Sequence, residues 1–237
     1  MTRHTLSRIS LLIPMMLLSP AAIASGWGGK GEIGVVVAKG NSDSSTLNAK
    51  LDLAEESERW KNGFSLAALS ASSDGTQSAE RYAFSWQTDY KFDDALFAFG
   101  NTRYEDDRFS GFDYQASASF GLGRHFRDDE TTKLTAQVGA GYKRLENNVT
   151  EQTESNLVWT GELRFHRVLT ETTTLIEKLV LESSDSNTFI KNDLSVQVKM
   201  NSKLSLAAGL GLRYNSSPPQ QRKKMDTLTT VNLVYGF

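Results

Sequence analysis

The sequence predicts an all-β protein, a closed antiparallel transmembrane β-barrel of twelve strands behind a cleaved signal peptide. Three observations lead there. Apolar side chains recur at every second position through most of the chain, and clusters of turn-forming residues separate those runs. Beyond the N-terminal region, no apolar run approaches the ~18 residues that a membrane-spanning helix needs.

Successive side chains of a strand point to opposite faces, so one apolar face reads as every second residue. Residues 81–92 are the clearest case. Tyr82, Phe84, Trp86, Tyr90 and Phe92 share one parity, and Arg81, Ala83, Ser85, Gln87, Asp89 and Lys91 the other. The same alternation recurs from Leu47 to Leu53, from Tyr114 to Leu122, from Leu134 to Tyr142, from Leu157 to Phe165, from Leu194 to Met200, from Leu204 to Tyr214 and from Val231 to Phe237. Polar links divide the runs. Asp93-Asp94, Arg127 to Thr131 and Asn201-Ser202 are short. Ser72 to Ser78, Glu105 to Gly111, Glu146 to Glu154, Ser183 to Asn187 and Ser216 to Lys224 are longer. Short and long links broadly alternate, as in barrels with tight turns on one side of a membrane and longer loops on the other.

These limits place strands at 30–40, 45–55, 59–71, 79–92, 95–105, 112–126, 132–146, 153–168, 172–183, 188–200, 203–215 and 226–237, with ten strands as the alternative. Two strands resist the pattern. In 95–105, Phe97 and Phe99 oppose Tyr104, which a bulge near Gly100 would reconcile. In 172–183, Leu175, Leu179 and Leu181 put Glu177 on the apolar face.

A sheet surrounded by hydrocarbon cannot leave its edge N–H and C=O groups unpaired, so the first strand must meet the last. The amphipathic C-terminal strand fits that demand. Its aromatic residues Tyr235 and Phe237 resemble the signal read by the outer-membrane barrel assembly machinery. Aromatic residues near strand ends, including Trp60, Tyr90, Phe126 and Tyr142, suit the two membrane–water interfaces.

At the other end, Arg3, His4 and Arg8 precede the apolar run Ile9–Leu18 and the small-residue site Ala22-Ile23-Ala24. This is the pattern of a secretory signal peptide, residues 1–24, with the barrel at 25–237. Its removal takes away two basic residues and no acidic one, moving the net charge of −2 further negative. Such a balance excludes a nucleic-acid binder, which needs a basic excess. With no cysteine, an exported chain of this size rests on hydrogen bonds and packing. The mean hydropathy of −0.38 fits strands with one wet face.

Motifs for chemistry are few. Gly121-Leu122-Gly123 lacks the third glycine and the helix of a nucleotide fingerprint, and reads as inward space or strand bends. His125 and His166 have the inward parity, but no serine or carboxylate stands at a recognisable spacing from either. No metal-ligand spacing occurs and no cofactor is expected. The inward parity collects charge instead. Its basic members are Lys50, Arg81, Lys91, Arg103, Lys133, Lys143, Arg164, Lys178 and Lys199, and its acidic ones Asp52, Asp89, Glu105 and Glu162. A positive lumen in a negative protein would favour anions if the barrel is open, whereas paired charges would plug it.

Beyond these patterns, the chain resembles the salt-induced outer membrane protein family, bacterial barrels whose conserved domain has no assigned function. The resemblance spans nearly all of 25–237. It rests on Gly40-Asn41-Ser42 with Leu47, Leu51 and Trp60, on the Tyr104–Tyr114 block that includes Glu105-Asp106-Asp107-Arg108-Phe109-Ser110-Gly111, on Gly121-Leu122-Gly123, and on Tyr235-Gly236-Phe237. Ser42 departs from the family's more usual threonine. Arg108 with Asp106, Asp107 and Asp113 reads as a clasp on an external loop. The resemblance implies an outer-membrane location and a link to salt stress, and supplies no catalytic residue. The expectation is a non-enzymatic outer-membrane protein of a Gram-negative cell, a small passive channel or structural barrel contacting lipid and passing small ions or solutes. The alternatives are a lipid- or lipopolysaccharide-modifying enzyme using His125 or His166, and a soluble periplasmic barrel binding an apolar ligand.

Overall fold

The computed structural model describes residues 26–38, 44–108, 112–147, 152–218 and 223–237. The signal-peptide segment, the Gly40-Asn41-Ser42 motif and Phe109-Ser110-Gly111 lie outside the described residues.

The strands are β1 (Trp27–Ala38), β2 (Ser44–Glu56), β3 (Trp60–Ser73), β4 (Thr76–Lys91), β5 (Leu96–Asp107), β6 (Phe112–Asp128), β7 (Thr132–Asn147), β8 (Thr153–Val168), β9 (Thr173–Ser183), β10 (Thr188–Lys199), β11 (Leu204–Asn215) and β12 (Met225–Gly236). Each pairs antiparallel with the next, and β12 returns to β1 to close a barrel of twelve strands, not ten. At the seam, the terminal Phe237 exchanges two backbone hydrogen bonds of 3.0 Å with Gly29.

Five tight turns share the end of the barrel where β1 begins and β12 ends, and one device recurs in them. A side-chain oxygen at the first turn positions accepts the backbone N–H groups that the reversing chain would strand. Asp93 takes Ala95 and Leu96 at 2.7 Å each, and Asp129 takes Thr131 and Thr132 at 3.0 and 2.8 Å. Asn201 takes Lys203 and Leu204 at 2.9 and 2.8 Å, Thr170 takes Thr173 at 3.0 Å, and Ser57 takes Trp60 at 3.2 Å.

At the opposite end one link is shorter than its composition implied. Ser72 to Ser78 reads as a long loop, yet β3 and β4 continue to Ser73 and Thr76 and join through Asp74-Gly75. A two-residue hairpin turn of type I′ needs positive φ at both positions, which Asp74 at 50° and Gly75 at 76° supply.

The apolar parity forms the outer wall. Leu157, Trp159 and Phe120 are each more than 70% exposed, at 79%, 74% and 73%. Rings pair along this wall, Trp60 edge-on to Tyr90 with centroids 5.0 Å apart and Tyr104 stacked on Tyr114 at 6.0 Å.

The two difficult strands resolve differently. No bulge occurs at Gly100, because the β4–β5 register runs unbroken from Arg81↔Asp107 to Lys91↔Phe97. Phe97 and Phe99 therefore stay on the parity of Arg103 and Glu105 and point inward, both buried. Glu177 does sit on the outer wall, where Asn192 of β10 donates to its carboxylate at 2.9 Å.

Candidate functional site inside the barrel

Ion pairs identify the inner face without reference to parity. Arg213 on β11 donates two hydrogen bonds to Glu105 on β5, at 2.9 and 2.7 Å, and these strands are not neighbours in the sheet. The contact must cross the enclosed space. Arg103 on β5 reaches Glu182 on β9 at 3.1 Å, and Lys143 on β7 reaches the other oxygen of Glu182 at 2.7 Å. Arg103 also holds Glu105 at 2.8 Å, and Arg81 holds Asp107 at 2.6 Å. Phe189 of β10 lies among the cations, with Arg103, Lys143 and Arg213 at 5.3, 5.2 and 5.6 Å from its ring centroid. A cation over a ring face gains more when desolvated, so the phenylalanine is part of the electrostatic closure.

Below this cluster the same side of the barrel is filled by rings and amides, joined by Asp89 and Arg164. Phe97 lies against His125, centroids 5.0 Å apart. Gly123 faces it from β6, where a β-carbon would overlap the Phe97 ring. Phe99 packs beside Gly121 and Gly139 in the same way. Gln87 and Gln137 bridge β4 and β7 at 3.1 Å, Asp89 accepts from Gln87 at 2.7 Å, and Arg164 donates to Gln137 at 2.9 Å. The space left here is a cavity of about 40 Å³ lined by residues such as Asn101, Ser117, Gln137 and Thr160. At about 10–15 Å³ each, it holds a few waters.

The other side is wetter. Lys50 holds Asp52 at 2.8 Å, Lys30 reaches the same carboxylate at 3.6 Å, Lys178 holds Glu162 at 3.1 Å, and Lys191 holds Asp193 at 2.7 Å. The side chains of Lys50, Lys178 and Asp193 keep 42%, 47% and 47% of their surface, against 2% for Glu105 and 8% for Glu182. Lys91, Lys133 and Lys199 lie at the end with the tight turns, Lys91 paired with Glu56 at 2.7 Å and Lys133 with Asp128 at 3.0 Å.

Sequence reasoning left Glu32, Glu182, Lys191, Asp193 and Arg213 out of the inner set and placed Asp107 on the external loop. The signal for Arg213 was present, since Leu212 and Tyr214 flank it on the apolar parity. These additions narrow the basic excess of the named inner residues, from nine bases against four acids to eleven against eight. The aspartate clasp on Arg108 gives way to another arrangement. Arg108 donates to Glu80 on β4 at 2.9 Å, because the inward turn of Asp107 carries its carboxylate to Arg81.

Neither histidine is bonded to a serine or a carboxylate among the described residues. His125 Nδ1 shares a hydrogen bond of 2.8 Å with Thr135, and His166 stands two strands away on β8. Among the described residues no group of three or more His, Asp or Glu is placed to hold a metal.

The family model described as "Protein of unknown function, DUF481" matches residues 31–237. The chain is 23% identical over 226 residues to the uncharacterized protein YdiY of Escherichia coli (strain K12), covering 92% of this chain and 86% of that one. Among solved structures, the NanC porin aligns with a TM-score of 0.54 at 10% identity, covering 88% of this chain and 98% of the porin. An outer membrane channel from Pseudomonas putida F1 aligns at 0.52 and 10% identity, covering 89% and 95%. The translocator domain of the autotransporter NalP from Neisseria meningitidis aligns at 0.50 and 11% identity, covering 89% and 88%.

Proposed function

The chain belongs to the DUF481 family of proteins of unknown function, and we propose that it is an outer-membrane barrel acting as a narrow passive conduit for small ions and hydrophilic solutes. The observation that carries this reading is the uneven interior. One side is closed by buried ion pairs and phenylalanine rings, while the other keeps charged side chains in water. A purely structural barrel has no use for solvated charge along one inner wall, whereas such a wall lowers the cost of moving an ion past hydrocarbon.

The location belongs to the same proposal. The exposed apolar wall needs lipid, and a sheet in lipid must close. Residues 1–24 are the export signal, and the seam strand ending in Tyr235 and Phe237, whose rings stack at 6.2 Å, is the assembly signal. The tight turns then face the periplasm and the longer links the exterior. The physiological setting is osmotic adaptation of the envelope, with activity independent of any catalytic residue.

The test is single-channel recording on residues 25–237 refolded into planar bilayers. Discrete small conductance steps with a weak anion preference are expected. Silent bilayers across several salts would remove the conduit and leave a structural barrel.

A further inference from the structure

The seam is not closed along its whole length. β1 and β12 pair from the Gly29–Phe237 hydrogen bonds to Gly34↔Asn232, and no further toward Ala38 among the described residues. Yet β1 runs on to Ala38, held by β2, and β12 begins at Met225, held by β11. Continued in register, Val35 would meet Val231 and Val36 would meet Thr230. The two strands instead part at Gly34, toward the end of the barrel that carries the longer links.

The fork has a polar floor. Asn48 donates to Asn232 at 3.1 Å, and Asn232 donates to Glu32 at 3.4 Å. Gly34 lets both amides approach, since a β-carbon there would overlap each. Above the floor the inner surface changes character. By register with Arg81, Leu69 of β3 faces inward, and so do Val36 of β1 and Leu228 of β12. These are apolar side chains on the inner parity, whereas Lys30, Glu32, Lys50 and Asp52 line the same face of β1 and β2 on the other side of the floor. Outside the same gap stand Val35 and Val231, 61% and 50% exposed. Apolar side chains therefore stand on both sides of the gap, Val35 and Val231 outside and Val36 and Leu228 inside, with the uncharged Thr46 and Thr230 among the inner ones.

We propose that this parted seam is a lateral binding site for the alkyl chain of an amphiphile drawn from the outer leaflet. The inference rests on the membrane location argued above. An alkyl chain is the occupant because the gap opens between Val35 and Val231 of the lipid-facing wall, its inner positions Val36, Leu69, Leu228 and Thr230 carry no charge, and it ends on polar groups that stop deeper entry into the ion-paired interior. The methylenes would cover Val36, Leu69 and Leu228, and the head would remain at the external rim.

The chain has no cysteine, so single labelling sites are clean. A bimane fluorophore is placed on Thr230→Cys at the inner side of the gap, on Gln197→Cys on the inner face of a fully paired strand, and on Leu210→Cys on the outer wall. The proteins are reconstituted in vesicles of phosphatidylcholine brominated on its acyl chains. The proposal expects strong quenching at 210, quenching at 230 at least half as deep, and little at 197. Quenching at 210 with none at 230 overturns the lateral site and leaves the membrane reading intact. No quenching at 210 overturns the membrane reading itself. A second variant, Val36→Cys with Thr230→Cys, should resist disulfide formation under mild oxidation that closes Ile33→Cys with Leu233→Cys. Ready closure of the 36–230 pair would mean that the seam zips shut, and would also overturn the proposal.

Discussion

The two halves of the interior are lined by strands with the same alternation, yet they end in opposite states. From β4 to β8 the inner positions combine large rings, glycines that receive them, and carboxylates shared by several cations. The result is close packing, with Phe97, Phe99 and Glu105 all at 5% exposure or less. From β9 round to β3, apart from Glu182, Phe189 and Arg213, which reach into the packed half, the inner lysines and carboxylates pair along one strand or with a neighbouring one, and their side chains stay wetter. The difference lies in reach. A carboxylate bonded across the barrel closes it, while one bonded beside itself leaves the axis free.

The largest expected effect comes from breaking that contrast at Glu105. Glu105→Gln leaves Arg103 and Arg213 without their shared anion in a buried place, and should cost about 3–5 kcal/mol of stability. Asp52→Asn in the wet half should cost under about 1 kcal/mol, because its partners are solvated. Urea unfolding of the refolded barrels, followed by heat-modifiable migration on gels, compares the two. Equal losses would erase the distinction.

Gly123→Leu tests the same half by overfilling. The added side chain meets Phe97 and should cost about 1–3 kcal/mol. Gly100→Ala, whose β-carbon lies 3.7 Å from the nearest atom, Thr88 Cγ2, should be nearly neutral by the same unfolding measurement.

Charge reversal in the wet half acts on conduction instead. Lys50→Glu with Lys178→Glu should turn a weak anion preference into a cation preference, read from the reversal potential in a salt gradient. Reversing Lys143 should impair folding before it changes selectivity.

The smallest effect belongs to the tight turns, which lie outside both halves. The Arg127 side chain and the Thr131 and Thr132 groups hold the Asp129 carboxyl below the usual carboxylate range. The backbone N–H groups of Leu96 and Ala95 do the same for Asp93. Folded values lower than unfolded ones add stability above the ordinary carboxylate value near ~4, and that stability fades as pH falls through the folded values. Thermal melts in detergent should therefore drop below about pH 4. Asp93→Asn with Asp129→Asn should flatten that drop, since an amide oxygen still caps the turn, as Asn201 does.

Most of the barrel was legible because a wall between two media imposes a strict period of two. Tyr82 to Phe92 could be placed by alternation alone. Phe97 and Phe99 misled because they are apolar residues of an inner wall, and alternation reports polarity rather than direction. A bulge was the natural rescue, but the unbroken register and the glycines of β6 and β7 show how the rings fit inside. Asp74-Gly75 was hidden among serines that merely extend the strands. The inner charges were legible as a set, but their partners were not. Glu105 meets Arg213 from 108 positions away, and strand order and tilt decide such a meeting.

The account stands most directly on where solute passes. Single cysteines at Lys178 and at Ser117 place one thiol on each half of the interior, and a water-soluble charged methanethiosulfonate reagent is added during single-channel recording. Modification at position 178 should step the current down within each open channel, and position 117 should give no change. A current that responds at 117 and ignores 178 would contradict the account.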